Sequence, residues 1–435
     1  MRALAARNRN GYASLHVIRM SAAAQRRLTI AALIAILLAG IIVRLPADLF
    51  APEGSLHSLG ALHPQPGFRE IGFDDALYRG YVNSVITGGL SSYREIVEHY
   101  IGLQKSLSGS VLPPTNVLFI CAAWVWHQLF RTEALLALHD VASLFAIFGL
   151  FLSVGFAWRM KGAGGALRIG ALIAFAPTQV HLSQHALVDG FFTFWAMLAL
   201  WLLWENLRTP HAWRWLVPFA ISLSLIVATM DDAPVVYVAL VALILANRWL
   251  KWGTVTRELV LCTVLGPLLG VALLALASGG FGPLLTMKQL AVSHHHRPTV
   301  WHRYLVDLLL VSPIVVLLAI GAALHLNRER KPELFAGIFI SASYLAMCTV
   351  SLGATVNYAA IWDMPLRVLA FSQLTALVRP NLSQQRTWIM AGAIALICAL
   401  EMHQYDALFV HAPLNEPATD GLLRALKMLK TAPTP

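Results

Sequence analysis

"VLPPTNVLFICAAWVWHQLF", residues 111–130, is apolar enough and long enough to cross a membrane. Whether it crosses fixes the side of every later loop, because one crossing more or less inverts all that follows. If it does not cross, residues 135–158 return the chain and "RMKGAGGALR" lies on the side of the N-terminus. The loops "RTPHAWR", "NRWLKWGTVTR", "NRERK" and "RPNLSQQR" then share that side, while the turns near 184–189, 230–233 and 352–363 carry no Lys or Arg. Basic loops stay on the cytoplasmic side of a membrane, so residues 111–130 are predicted to form a half-inserted or membrane-surface helix. Pro113 and Pro114 suit its start, where a proline breaks no helical hydrogen bond.

Composition sets the class. The chain is 58% hydrophobic and 12% charged, with a mean hydropathy of +0.66, which excludes an ordinary soluble domain. Repeated apolar runs predict an all-α polytopic transmembrane bundle of about eleven spans. They are placed near 28–43, 135–158, 168–183, 190–207, 215–230, 234–246, 259–279, 304–326, 334–351, 364–378 and 387–402. The arm before the first span, residues 1–27, holds Arg2, Arg7, Arg9, Arg19, Arg26 and Arg27 and no acid. It has no clear small-residue cleavage site and many spans follow, so "LTIAALIAILLAGIIV" reads as an uncleaved helix with a cytoplasmic N-terminus. A transmembrane unit 28–402 then carries external loops 44–134 and 280–303, followed by an external tail, 403–435. In the tail, "DGLLRALKMLK" reads as an amphipathic helix on the membrane surface. The net charge of +10 belongs to orientation loops, and no nucleic-acid partner is implied. Cys121, Cys262, Cys348 and Cys398 lie inside apolar runs with no disulfide or zinc spacing.

The chemistry begins at "GFDDALYRGYV", residues 72–82. Phe73, Leu77, Tyr81 and Val85 recur every four residues, which predicts an amphipathic surface helix opening on Asp74 and Asp75. Two readings stand open for this pair. They are helix-start carboxylates favoured by the dipole, or they serve chemistry at the membrane boundary. Asp189, in "HLSQHALVDGFF", carries the same ambiguity, as an N-cap or as a partner of the first pair on one face of the membrane. A carboxylate at an apolar boundary holds its proton more tightly, which suits a general base for a hydroxyl nucleophile.

In order and spacing, "GFDDALYRGYV", the "LPP" that opens a surface helix and "FAPTQVHLSQHALVDGFFTF" resemble the GT-C superfamily of membrane glycosyltransferases over about residues 28–380. The nearest branch is that of protein O-mannosyltransferases and lipid A aminoarabinose transferases. The resemblance implies a polyprenyl-phosphate-linked sugar donor, inverting displacement at the anomeric carbon and a lipid phosphate leaving group. The acceptor it implies is a hydroxyl of a lipid, glycan or protein. It implies Asp74 as the base, Asp75 where a Glu is more usual, and Asp189 as the acid that positions the acceptor or a cation. It sets "VSHHHRPTVWHRYL", residues 292–305, as the loop facing the lipid phosphate, with His294 and Arg297 as the best matches.

A departing phosphate needs cations beside it in a low-dielectric site. Arg297, Arg303, Lys288 and the histidines are the available groups, with Arg79 and Lys105 as weaker candidates. His294, His295, His296 and His302 also allow a zinc reading, but without HxH or HExxH spacing. No cofactor is required by the resemblance, and a divalent cation held by Asp74 and Asp189 remains possible within the wider superfamily. The chain departs from the branch in three places. "LPPTNV" lacks the lysine that often follows, "LHDVAS" has His139 and Asp140 where an arginine is common, and "ATMDDAP" puts Asp231 and Asp232 in place of a cation. A bacterial inner membrane with an external active site is the location implied. A non-catalytic transporter, flippase or binding scaffold for lipid-linked saccharides is the rival. The absence of an internal repeat and the placing of the acids on one face disfavour a transporter.

Overall fold

The computed structural model describes residues 22–64, 73–107, 113–294, 302–349, 356–379 and 383–411. Sixteen α-helices account for most of these residues, and no strand occurs among them. The order begins α1 (Ala22–Ile42), α2 (Phe73–Gly88), α3 (Tyr93–Ser106), α4 (Val117–Phe130), α5 (Ala134–Ala174), α6 (Pro177–Ser183), α7 (Val188–Arg208) and α8 (Trp213–Thr229). It continues α9 (Ala233–Leu250), α10 (Arg257–Ala277), α11 (Phe281–His294), α12 (Arg303–Val311), α13 (Pro313–Ala323), α14 (Lys331–Thr349), α15 (Asp363–Val378) and α16 (Ser383–Tyr405). Six helical stretches are long and apolar enough to cross a membrane: α5, α7, α9, α10, α14 and the stretch Gln385–His411. Shorter apolar helices, α4, α8 and α13, pack among them.

At 14 residues, α4 is about 21 Å long, short of a bilayer core of about 30 Å. It packs on α2, α5 and α8, with Phe119, Ile120 and Ala123 fully buried. Its helical turns start at Val117, after both prolines, and Arg131 ends it in a left-handed conformation. The run 234–246 is longer than its apolar core suggested, since α9 reaches Leu250. The runs 168–183 and 304–326 are each broken, at Phe175–Ala176 before Pro177 and at Ser312 before Pro313.

Within α5 the chain reverses at Gly162, whose φ of 69° and ψ of −176° belong to a region open essentially to glycine. The two limbs then lie side by side, so that a Cβ on Gly170 would stand 2.9 Å from the Val154 side chain. The second limb ends inside the bundle, where the Ile173 carbonyl accepts from the Ala176 N–H at 3.1 Å and side chains must supply further donors. Two fully buried arginines supply the donors. Arg44 donates to the carbonyls of Ala174 (2.6 Å) and Ile173 (2.7 Å), and Arg367 donates to that of Leu172 (2.8 Å). Arg367 also bonds the carboxylates of Asp363 (2.9 Å) and Glu401 (3.0 Å), tying α15 and α16 to this break. Gln179 of α6 donates to Asp363 at 3.0 Å and closes the network. The start of α7, carrying Asp189, is held in place by these elements.

The tail assigned to 403–435 begins as the last turn of α16, followed by a wider π-type turn, Asp406–His411. Residues 412–435, with the amphipathic stretch, lie outside the described residues, as does the arm 1–21.

Candidate active site

Asp74 and Asp75 occupy the first turn of α2. Neighbours on a helix point about 100° apart, so the two carboxylates diverge. Asp75 is buried and faces the inner helices, with Oδ2 3.9 Å from His185 Nδ1 and its charge acting on His139 of α5. Asp74 is half-buried on the other side, within electrostatic reach of Tyr78 and Asp189. Burial, and then the charge of Asp75, raise the Asp74 carboxyl above its ordinary 3.8. Both residues lie in the first turn of α2, and Asp74 is also within electrostatic reach of Asp189.

Asp189 is buried in the first turn of α7. Two further groups join it. Asp232, at the turn between α8 and α9, is 3% exposed, and its Oδ2 has no hydrogen-bond partner among the described residues. Its carboxyl is pushed up to about 8, by burial first and by Asp189 second. Tyr358, in the 3-10 segment Val356–Trp362, feels Asp232 and Asp189, and burial is the main cause of its raised hydroxyl. Tyr78, four residues after Asp74, feels both Asp189 and Asp74. Three carboxylates from three separate segments thus act electrostatically on a pair of tyrosines.

The "PPTN" stretch before α4 fastens this mouth. The Pro114 carbonyl accepts from the Tyr93 hydroxyl of α3, Asn116 Nδ2 donates to the Tyr78 oxygen at 2.6 Å, and the Thr115 hydroxyl donates to Asp231 at 3.1 Å. Asp231 also pairs with Lys288 of α11, a helix that packs on α3. Burial lowers the Lys288 ammonium from 10.5 to about 8. The acids in "ATMDDAP" thus divide the work, with Asp231 neutralising Lys288 and Asp232 facing Asp189.

Arg303 opens α12, and its charge, with that of Asp232, acts on Tyr304. His294 ends α11, but its side chain and all of Arg297 lie outside the described residues, as do His295 and His296. Arg79 is placed elsewhere, in a half-exposed ion pair with Glu133 before α5. Lys105 is exposed in the last turn of α3. Asp140 accepts from the Trp126 indole at 2.8 Å, so this departure from the branch is used to fasten α4 to α5. Among the described residues no group of three His, Cys, Asp or Glu gathers to hold a metal ion.

Tyr304 also links the mouth to an apolar groove. Its ring meets that of Trp362 edge-on at 5.8 Å, and Trp362 lines a cavity of about 280 Å³ between α12, α13, α14 and α15. Leu308, Val316, Ile320, Ile338 and Tyr344 form much of the wall, which is almost wholly apolar. Sequence reasoning missed Tyr78, Thr115 and Asn116 as members of the site. Tyr78 carries a signal, one helical turn from Asp74. Asn116 and Thr115 carry none beyond their place after two prolines.

No protein-family model and no curated protein sequence matches the chain. Solved structures do. The apo oligosaccharyltransferase of Archaeoglobus fulgidus superposes with a TM-score of 0.58 at 13% identity, covering 94% of this chain and 59% of that one. The chain therefore spans under two thirds of that enzyme's length. ArnT from Cupriavidus metallidurans in the apo state gives 0.53 at 15% identity, covering 94% of this chain and 81% of that one. The same protein bound to undecaprenyl phosphate gives 0.52 at 15%, covering 95% and 82%. At such identities the likeness is one of backbone, and it shows that the chain shares the helical fold of these structures.

Proposed function

We propose that the chain is a membrane glycosyltransferase that moves a sugar from a polyprenyl-phosphate-linked donor to a hydroxyl of a lipid, glycan or protein acceptor at the external face. The observation that carries this reading is that Asp74, from the surface helix, and Asp189, from the start of a spanning helix, lie within electrostatic reach of one another, while Tyr304, which feels Asp232, stacks edge-on with Trp362 in the wall of an apolar groove. The fold fits it. The neighbouring ArnT has been seen with undecaprenyl phosphate and the archaeal enzyme with dolichol phosphate. In this chain the groove walled by Trp362 and Tyr344 would take the apolar end of such a carrier, and its phosphate would lie near Lys288 and Arg303, with His294 and Arg297 on the same loop.

The chemistry is a single displacement with inversion. The acceptor oxygen bonds to the anomeric carbon, the bond from that carbon to the phosphate oxygen breaks, and the acceptor proton passes to Asp74. The raised carboxyl of Asp74 is suited to hold that proton. Asp189 would orient the acceptor hydroxyl, and Asp75, anchored near His185, would fix the first turn of α2. The archaeal neighbour has also been seen with zinc and sulfate. In this chain Asp74 and Asp189 are the residues that would face a divalent cation, whose positive charge would offset the departing phosphate.

The test uses purified protein in lipid nanodiscs with a panel of polyprenyl-phosphate sugars and a cell-envelope extract. Mass spectrometry follows donor loss and product gain, with Asp74→Asn alongside. Loss of one general base costs about 100- to 10,000-fold in rate, so the variant should leave the donor intact while binding it. Tight donor binding without turnover by the wild type would instead support the transporter or scaffold reading.

A further inference from the structure

At the end of the bundle opposite the carboxylates, the α5 reversal, the start of α14, the end of α15 and the start of α16 border an open cavity of about 480 Å³. Lys161, Arg330, Arg379 and Arg386 line it, against a single acid, Glu333. That acid is already neutralised. Its Oε1 accepts from Lys161 at 2.6 Å and from the Ser372 hydroxyl at 2.7 Å. Arg330, Arg379 and Arg386 make no ion pair with any described carboxylate. A fourth guanidinium, Arg168, sits 5.9 Å over the Phe371 ring in the cavity wall and feels the charge of Arg386. Topology signals need basic residues on one side of a membrane, but they do not need them converged on one hollow. Converged guanidinium groups repel one another unless an anion sits between them, and their planar forks match phosphate oxygens.

The surroundings indicate where that anion comes from. Leu377 and Trp388, each two residues from a cavity arginine, are 58% and 75% exposed on the outer surface of the bundle. Exposed tryptophan beside arginine at a helix end is the pattern of a membrane interface, and basic hollows between spanning helices at that depth hold lipid head groups. We propose that this cavity binds the phosphodiester head group of an anionic glycerophospholipid, whose acyl chains run along Leu377 and Trp388. The site is independent of the transferase reading, since it shares no residue with the carboxylate mouth.

The experiment is native mass spectrometry and thermal unfolding of the full chain in detergent, titrated with phosphatidylglycerol, phosphatidylcholine or inorganic phosphate. The wild type should retain phosphatidylglycerol and gain thermal stability from it, and the choline lipid should do neither. Replacing the three arginines together (R330Q, R379Q and R386Q) should weaken that retention about 10-fold or more. The single change Arg379→Gln, at an exposed residue, keeps the test valid if the triple variant does not fold, and Arg328→Gln, outside the cavity, should change nothing. Equal retention by wild type and variants, or no preference between the two lipids, would overturn the proposal. So would displacement of the lipid by low-millimolar inorganic phosphate, which would assign the site to an anion from solution.

Discussion

Asp74 and Asp75 show how one peptide bond separates two jobs. The helix turns them apart, so that Asp75 lies 3.9 Å from His185, in the turn before α7, while Asp74 is within electrostatic reach of Tyr78 and Asp189. Asp232 sits in an environment far from its ordinary one. Its native carboxyl titrates near 8 rather than 3.8, because burial and the nearby Asp189 penalise its charge. Between those values the folded chain holds a proton that the unfolded chain has lost, so stability falls as the pH rises through the window. Asp232→Asn should flatten that slope. Thermal unfolding in detergent between about pH 5 and about pH 8 tests it, and an unchanged slope in the variant would show that Asp232 is ionised in the native site.

At the scale of helices, close approach depends on small residues. In "GPLLG" of α10, Gly266 and Gly270 meet α8 along the face that carries Ala220, Leu223 and Ser224. The Ser224 hydroxyl donates to the Gly266 carbonyl at 2.7 Å, and a Cβ on Gly270 would stand 2.6 Å from the Ser224 carbonyl oxygen. Small residues four apart let helix backbones touch where lipid offers no hydrophobic push. Gly270→Leu should therefore separate α8 from α10 and cost about 1–3 kcal/mol, read as a lower Tm. Gly392→Leu is the control, since a Cβ there meets open space. The α8–α9 turn carries Asp231 and Asp232, so the Gly270 variant should also weaken the donor binding proposed above. An intact Tm in Gly270→Leu would mean that the interface can yield without loss.

At the scale of the molecule, the two ends differ in charge. Carboxylates and tyrosines gather at one end, and Arg159, Lys161, Arg330, Arg379 and Arg386 at the other, where Arg159 bonds both oxygens of Glu205 at 2.7 Å. We propose, from the count of basic loop residues, that the basic end faces the cytoplasm. Single cysteines introduced at Ser91 and at Arg328, in a chain with its four native cysteines replaced, should label from opposite sides with a membrane-impermeant maleimide. Arg328 should label only after the vesicles are opened from the cytoplasmic side, and labelling of both from one side would refute the assigned topology.

Much of the architecture follows from local chemistry. Apolar runs of spanning length, the prolines at 113, 114, 177 and 313, and the basic loops determine the helices, their breaks and the short α4, because each is a property of a few consecutive residues in lipid. The carboxylates of α2 and α7 could likewise be named from their place at helix starts. Only the tertiary structure decided which of them meet. Asp232 joins Asp189, Asp231 is taken by Lys288, and Arg79 is held by Glu133 away from the mouth. These pairings join segments far apart in the chain, and no local periodicity encodes them. The same holds for the buried arginines. In sequence Arg44 ends the first span as an ordinary flanking cation, and Arg367 opens a late one. The folded bundle turns both inward, where they donate to the carbonyls at the end of α5.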